Sequence, residues 1–219
     1  NLVTNFTAGS LDSTYVRESA YNDPEMPYDI YGIGVNVSGG AWGAGGGVST
    51  VFKKPLYQYL ARTGSATART IPDVGMQVGG CPSLATICGA DDSAAVVAYG
   101  AGIGGGFYGV IGTSVSSPEF VGALALYEQQ LGKKNHRMGN ANYYLYAAGA
   151  LQTLAGGVNA PAALQFFHRN NPGYNGVVSD SVPSYDYNYV YGNGSPDVRK
   201  LFGLTKYPAA GLPKTATNP

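Results

Sequence analysis

The sequence predicts an α/β chain, and three observations carry that prediction. An apolar run from Phe107 to Ile111 reads as a strand, and Gly112, Thr113 and Ser114 make a tight exit from it into a helix with apolar positions at Val121, Leu124, Ala125 and Leu126. Val48 to Ala61 leads into a short helix after Pro55, and Ser93 to Ile111 alternates small apolar residues with glycines as strands approaching Ser114 would. A chain of 219 residues with 44% hydrophobic content can bury a real core, so one domain or a large part of one is expected.

In chain order, Leu2 to Asn22 carries T-Y-V-R-E-S-A-Y and reads as a strand pair, and Asp23 to Pro27 as a loop because its prolines disfavour regular structure. The glycine-dense stretch Gly32 to Gly47 is either a flexible surface loop or backbone that approaches a ligand closely. It lacks Gly-Lys-Ser/Thr and a following acidic ribose reader, so it is not a phosphate loop. Ile71-Pro72-Asp73-Val74 reads as a turn. Lys133, Lys134, His136 and Arg137 suit the C-terminal end of the helix that follows Ser114, where cations complement the dipole. Ala147 to Gly157 is a further helix or an irregular apolar segment. The tail from Pro161 to Gly203 is rich in aromatic and turn residues, with a last short helix opened by Asp197 and Val198. Residues 1–207 form the folded part, and 208–219 a terminal arm.

Charged residues are 12% of the chain, about half the ~25% usual in soluble domains. The formal net charge is zero, so nothing points to electrostatic capture of nucleic acid or of an anionic membrane. With 13 Lys and Arg and 2 His, the charge at about pH 3 is roughly +15, a modest self-repulsion that permits an acidic setting. No apolar run approaches the ~20 residues of a membrane span, and the first residues lack the basic and apolar regions of a signal peptide, so the chain reads as mature. Cys81 and Cys88 bracket a turn-rich segment; C-x6-C is a poor metal pattern, and a disulfide in an oxidising compartment is favoured over free thiols. Asn5-Phe-Thr, Asn36-Val-Ser and Asn193-Gly-Ser are glycosylation sequons, relevant only in a eukaryotic secretory host. The expected setting is secreted or extracellular, or else a periplasmic or lysosome-like acidic compartment.

Ser114 is the candidate nucleophile. A hydroxyl at a helix start meets unpaired backbone N–H groups and the positive end of the dipole, which favour the charge that develops when a serine attacks a carbonyl. Pro118 is compatible with this reading, because a proline in the first helical turn has no N–H partner to lose. The alternative is that Ser114 is an N-cap and nothing more.

Gly112-Thr113-Ser114-x-Ser116-x-Pro118-x-Phe120-x-Gly122 resembles the nucleophile motif of the sedolisins, the serine-carboxyl peptidases. Four more blocks follow that family's order. Gly45-Gly46-Gly47-Val48-Ser49 with Val51-Phe52, Pro55 and Tyr57-Gln58 resembles its S-G-G-G-F-S block, and Pro72-Asp73-Val74 its P-D-V. Arg137-Met138-Gly139 with Asn142 and Leu145-Tyr146 resembles the stretch after its serine helix, and Gly192-x-Gly194-Ser195-Pro196 its closing T-G-x-G-S-P.

The resemblance implies a subtilisin-like fold, a parallel sheet flanked by helices, of which this chain holds the C-terminal half. It also implies an acid-active peptidase in which Ser114 attacks a peptide carbonyl and a glutamate takes the proton. At acid pH an imidazole of pKa ~6.5 is protonated and useless as a base, whereas a carboxylate of pKa ~4 is still available. The family's P-D-V aspartate lies in the oxyanion hole, which carries over to Asp73; it donates a hydrogen bond only when protonated. Both histidines, His136 and His168, follow Ser114, so the histidine that an ordinary subtilisin needs before its serine is missing. The family's catalytic glutamate and partner aspartate lie four apart on a helix far upstream of the glycine block. Glu25 and Asp29 have that spacing, but Pro24 and Pro27 oppose a helix and the location is wrong. The implied partner is therefore the N-terminal chain of the same precursor, and the implied substrate a peptide or protein. The family holds calcium with two aspartates and carbonyl oxygens near its C-terminus. Here Arg169 and Asn188 stand at those aspartate positions, so no calcium or other cofactor is expected, and Arg169 replaces the cation, paired to Asp186 or Asp180. The alternatives are a catalytically silent sedolisin-like binding or structural subunit, and a conventional subtilase fragment.

Overall fold

A computed structural model describes residues 2–7, 10–15, 18, 20–23, 42–79, 95–100, 106–110, 112–131, 137–169, 173–174, 179–180 and 186–203. Glu25, Asp29, Asn36, Cys81, Cys88, Lys133, Lys134, His136 and the 208–219 arm lie outside the described residues. The chain combines helices with small antiparallel sheets, which bears out the mixed class. The expected parallel sheet is not among the described pairs: all six are antiparallel and two-stranded.

The strand pair foreseen near the N-terminus is β1 (Leu2–Thr7) against β2 (Ser10–Tyr15). Next, β3 (Asn22–Asp23) pairs with β4 (Trp42–Gly43). The β-branched run in β5 (Gly47–Lys53) pairs with β6 (Ala68–Ile71), with a register shift between Val48 and Lys53. Between them Leu56–Leu60 forms the short helix foreseen after Pro55, as a 3-10 turn. Then β7 (Ala95–Tyr99) and β8 (Gly106–Val110) form the antiparallel pair that leads to Ser114.

Helix α1 spans Thr113–Leu131, and α2 spans Asn142–Leu154. The stretch from Ala147 is thus helical, and the helix begins five residues before it. Asn140 Oδ1 accepts from the Asn142 N–H at 3.0 Å at its start. At its end Ala155 is the C-cap, and Gly156 follows at φ 118°, a left-handed conformation that costs a glycine little. Beyond it lie β9 (Phe167–His168), β10 (Gly173–Tyr174), β11 (Ser179–Asp180) and β12 (Ser195–Pro196), paired β9 with β12 and β10 with β11. The closing helix α3 (Val198–Leu201) is N-capped by Asp197, whose carboxylate accepts from the Lys200 N–H at 3.0 Å.

Two buried clusters hold these pieces together. Leu145, Phe167, Leu201, Phe202 and Ala123 join α1, α2 and α3, with Val74 packed against them. Tyr57, Ala61, Tyr146 and Tyr187 join the 3-10 turn to the other side of α2. Helix α2 is thus the common wall, and residues 72–79 run past it toward the start of α1.

Candidate functional site

Ser114 is exposed and is the second residue of α1. The N-cap position falls on Gly112, so the N-cap reading of Ser114 does not hold. Gly112 has φ 102°, and the helix starts immediately after this turn, before Ser114. That start also moves Pro118 out of the first turn, contrary to expectation. In α-helical register, residue 118 would donate to the Ser114 carbonyl, and proline has no N–H to give. Among the described residues no hydrogen bond is made to the Ser114 hydroxyl.

The start of α1 is tied to the segment that leaves Asp73. The Gly112 N–H donates to the Val78 carbonyl at 2.7 Å, and the Ser116 hydroxyl to the Gln77 carbonyl at 2.8 Å. Glu119 cannot serve Ser114 from the same helix, since five residues place it about 140° around the axis. Burial raises the Glu119 carboxyl above the ordinary carboxylate range.

Asp73 sits in a bend after the cis Ile71–Pro72 peptide, its side chain 21% exposed. Three donors reach its carboxylate. Arg69 forms an ion pair with Oδ2 at 2.5 Å, Asn142 Nδ2 donates to the same oxygen at 3.3 Å, and the Tyr146 hydroxyl donates to Oδ1 at 2.8 Å. Burial would pull the Arg69 guanidinium down, but the hydrogen bond and charge of Asp73 outweigh it and hold that guanidinium above its ordinary value. Tyr146 is fully buried and in turn accepts from Gln58 Nε2 at 2.7 Å. Gln58 is locked by β6: its Nε2 also donates to the Thr70 carbonyl at 2.7 Å, and its Oε1 accepts from the Thr70 N–H at 2.9 Å. Burial first, and the Asp73 charge second, push the Tyr146 phenol far above its usual value, so it remains a donor.

The main chain of Asp73 is held separately. Its carbonyl accepts from the Asn193 N–H at 2.9 Å and from Asn193 Nδ2 at 3.1 Å. Gly192, at φ 63°, crosses so close that a Cβ there would lie 2.4 Å from the Asp73 carbonyl oxygen. The T-G-x-G-S-P-like block is thus a backbone clamp on Asp73.

Arg169, 5% exposed, sends Nε to the Asn193 carbonyl at 2.8 Å, NH1 to the Thr153 hydroxyl at 2.8 Å and NH2 to the Gly149 carbonyl at 3.1 Å. Burial lowers its pKa to about 10 and the Asp186 charge opposes that shift, so the guanidinium stays charged throughout the acid and neutral range. Asp180 lies in β11, where only the backbone is described. Asn188 turns its amide oxygen inward to accept from the Val190 and Tyr191 N–H groups at 2.8 Å each, a local turn. Among the described residues no three His, Cys, Asp or Glu side chains are grouped as a metal site requires, and no helix is long and apolar enough to cross a membrane.

The role of Arg69 went unforeseen because its four-residue spacing from Asp73 falls on a strand and bend, where that spacing predicts no contact. The role of Asn142 and Tyr146 left a usable signal, four residues apart on one helix face. In comparisons with known proteins the chain matches no family model and no curated protein.

Proposed function

We propose that this chain is the C-terminal part of an acid-active serine-carboxyl peptidase of the sedolisin kind, its sheet completed as a subtilisin-like parallel one by a companion chain. The observation that carries the reading is the exposed Ser114 hydroxyl in the first turn of α1, on a helix start tied to the segment that leaves Asp73. In this reading Ser114 Oγ bonds to the carbonyl carbon of a peptide or protein substrate, and its proton passes to a carboxylate of the companion. That proton then leaves with the amine as the C–N bond breaks, and water hydrolyses the resulting ester. The first-turn N–H groups other than that of Val115, which donates to the Gly112 carbonyl, are assigned to the oxyanion together with Asp73.

The companion is the N-terminal chain of the same precursor, carrying the glutamate base and its aspartate partner. Val51, Phe52 and Leu154 are 79%, 70% and 86% exposed, and among the described residues β5 pairs along one edge only. Large apolar side chains and a bare strand edge call for cover. No calcium enters the proposal: the buried Arg169 guanidinium, donating to the Asn193 and Gly149 carbonyls, would repel a second cation beside it.

One observation favours a silent binding or structural subunit instead: both Asp73 oxygens are taken up as acceptors, Oδ2 by a guanidinium. The two readings separate in an assay of native protein, companion included, on a denatured protein substrate between about pH 3 and 7. The expected result is acid-range hydrolysis that Ser114→Ala lowers at least ~1000-fold and Asp73→Ala ~100-fold or more. No hydrolysis at any pH leaves the silent subunit, and an unchanged rate in Ser114→Ala removes the serine mechanism.

A further inference from the structure

We propose that Arg169 is a positioning residue for Asp73, acting through Asn193. The proposal rests on the peptidase reading for its catalytic meaning, while the geometry stands apart from it. Asn142, Tyr146, Gly149 and Thr153 follow at spacings of four, three and four residues, so they form one stripe along α2. The first half of the stripe holds the Asp73 carboxylate through Asn142 Nδ2 and the Tyr146 hydroxyl. The second half holds Arg169 through the Gly149 carbonyl and the Thr153 hydroxyl. Arg169 Nε donates to the Asn193 carbonyl, and Asn193 returns two donors to the Asp73 main-chain oxygen.

These contacts close a ring: Asp73 carboxylate, Tyr146, the α2 stripe, Arg169, Asn193, Asp73 carbonyl. Arg169 is the link that lets one rigid helix set both the main chain and the side chain of Asp73. The space for it is made by absent side chains. A Cβ at Gly149 would lie 2.3 Å from Asn193 Oδ1 and 3.1 Å from Arg169 NH2, and one at Gly194 would lie 3.1 Å from Arg169 Cγ. A planar guanidinium spans two carbonyls and a hydroxyl in fixed directions, which a lysine ammonium cannot do. Catalytic groups need placement within about 0.5 Å, and a ~1 Å error costs about a hundredfold.

The test compares native protein, companion included, with Arg169→Lys, which keeps the charge and loses the fork, and with Gly149→Ala, which crowds it. Nuclear magnetic resonance reads the ring directly, through the scalar coupling across the Asn193 N–H to Asp73 carbonyl hydrogen bond and the carboxyl carbon resonance of Asp73, assigned with Asp73→Asn. The expected result is a coupling reduced by half or more and a displaced Asp73 resonance in both variants. In turnover, kcat falls about tenfold with KM nearly unchanged, the mark of an interaction realised in the transition state. Coupling and resonance that stay at wild-type values in a folded Arg169→Lys overturn the proposal. Should both variants fail to fold, the wild-type couplings from Arg169 Nε to the Asn193 carbonyl and from Asn193 to Asp73 decide: their presence supports the ring and their absence overturns it. Because the resonance arm needs no turnover, a protein that hydrolyses nothing sinks the peptidase reading, while the couplings alone still decide the ring.

Discussion

Asp73 is gripped from two sides, and its most consequential neighbour is Tyr146. That hydroxyl donates a hydrogen bond to Asp73 Oδ1 and accepts one from Gln58, so it joins a mostly buried carboxylate to a wholly buried amide. Removing the oxygen leaves Gln58 Nε2 with the Thr70 carbonyl as its remaining acceptor and strips a donor from a charged group. Hydrogen bonds to charged groups contribute more than neutral ones, so Tyr146→Phe is expected to lose about 1.5–3 kcal/mol in urea unfolding. A loss below about 0.5 kcal/mol contradicts the assignment of Tyr146 as the anchor of Asp73. Arg69 plays a different part: it closes the exposed side of the carboxylate, 18% exposed itself, and lies over the Tyr57 ring at 5.6 Å.

Helix α1 carries the serine at its start and a partly buried acid, Glu119, five residues further on. Burial raises Glu119, so the folded chain holds that proton more tightly than the unfolded chain does. The stabilisation is fully present below the unfolded carboxylate pKa and is lost as pH rises through the folded value. The helix is therefore favoured in the acid range and burdened by a poorly solvated carboxylate near neutrality. Glu119→Gln is expected to raise Tm at about pH 7 and to match wild type near pH 4, measured by thermal melts across that range. A variant that melts below wild type at neutral pH contradicts this account. In α2, by contrast, one stripe does the positioning while Leu145 and Tyr146, next to each other in sequence, enter the two different buried clusters.

The molecule as a whole presents apolar side chains on β5, α1 and α2, among them Val121 at 61% and Leu126 at 56% exposure. Scattered apolar surface is ordinary, but an unpaired strand edge that also carries Val51 and Phe52 at 79% and 70% exposure is the kind of surface that calls for cover. In the proposed reading, these side chains are where the companion chain that carries the base for Ser114 would pack. Native mass spectrometry of protein purified from its source is expected to show the 22.7 kDa chain bound to a second polypeptide. A folded monomer of 22.7 kDa alone, with no second chain, contradicts the companion and with it the peptidase reading.

Local features could be read from neighbouring residues: the Gly112 turn into a helix, the short helix after Pro55, the last helix opened by Asp197 and the strands that approach Ser114. Each depends on φ preferences, side-chain caps or apolar periodicity within a few positions. What could not be read was which partners meet. The direction of the strand pairs, the Arg69 ion pair and the clamp of Asn193 on Asp73, 120 positions apart, all depend on packing between distant segments. A hydrogen bond across that span leaves no period or motif in the chain, because its geometry exists only after α2 has brought both ends to one wall.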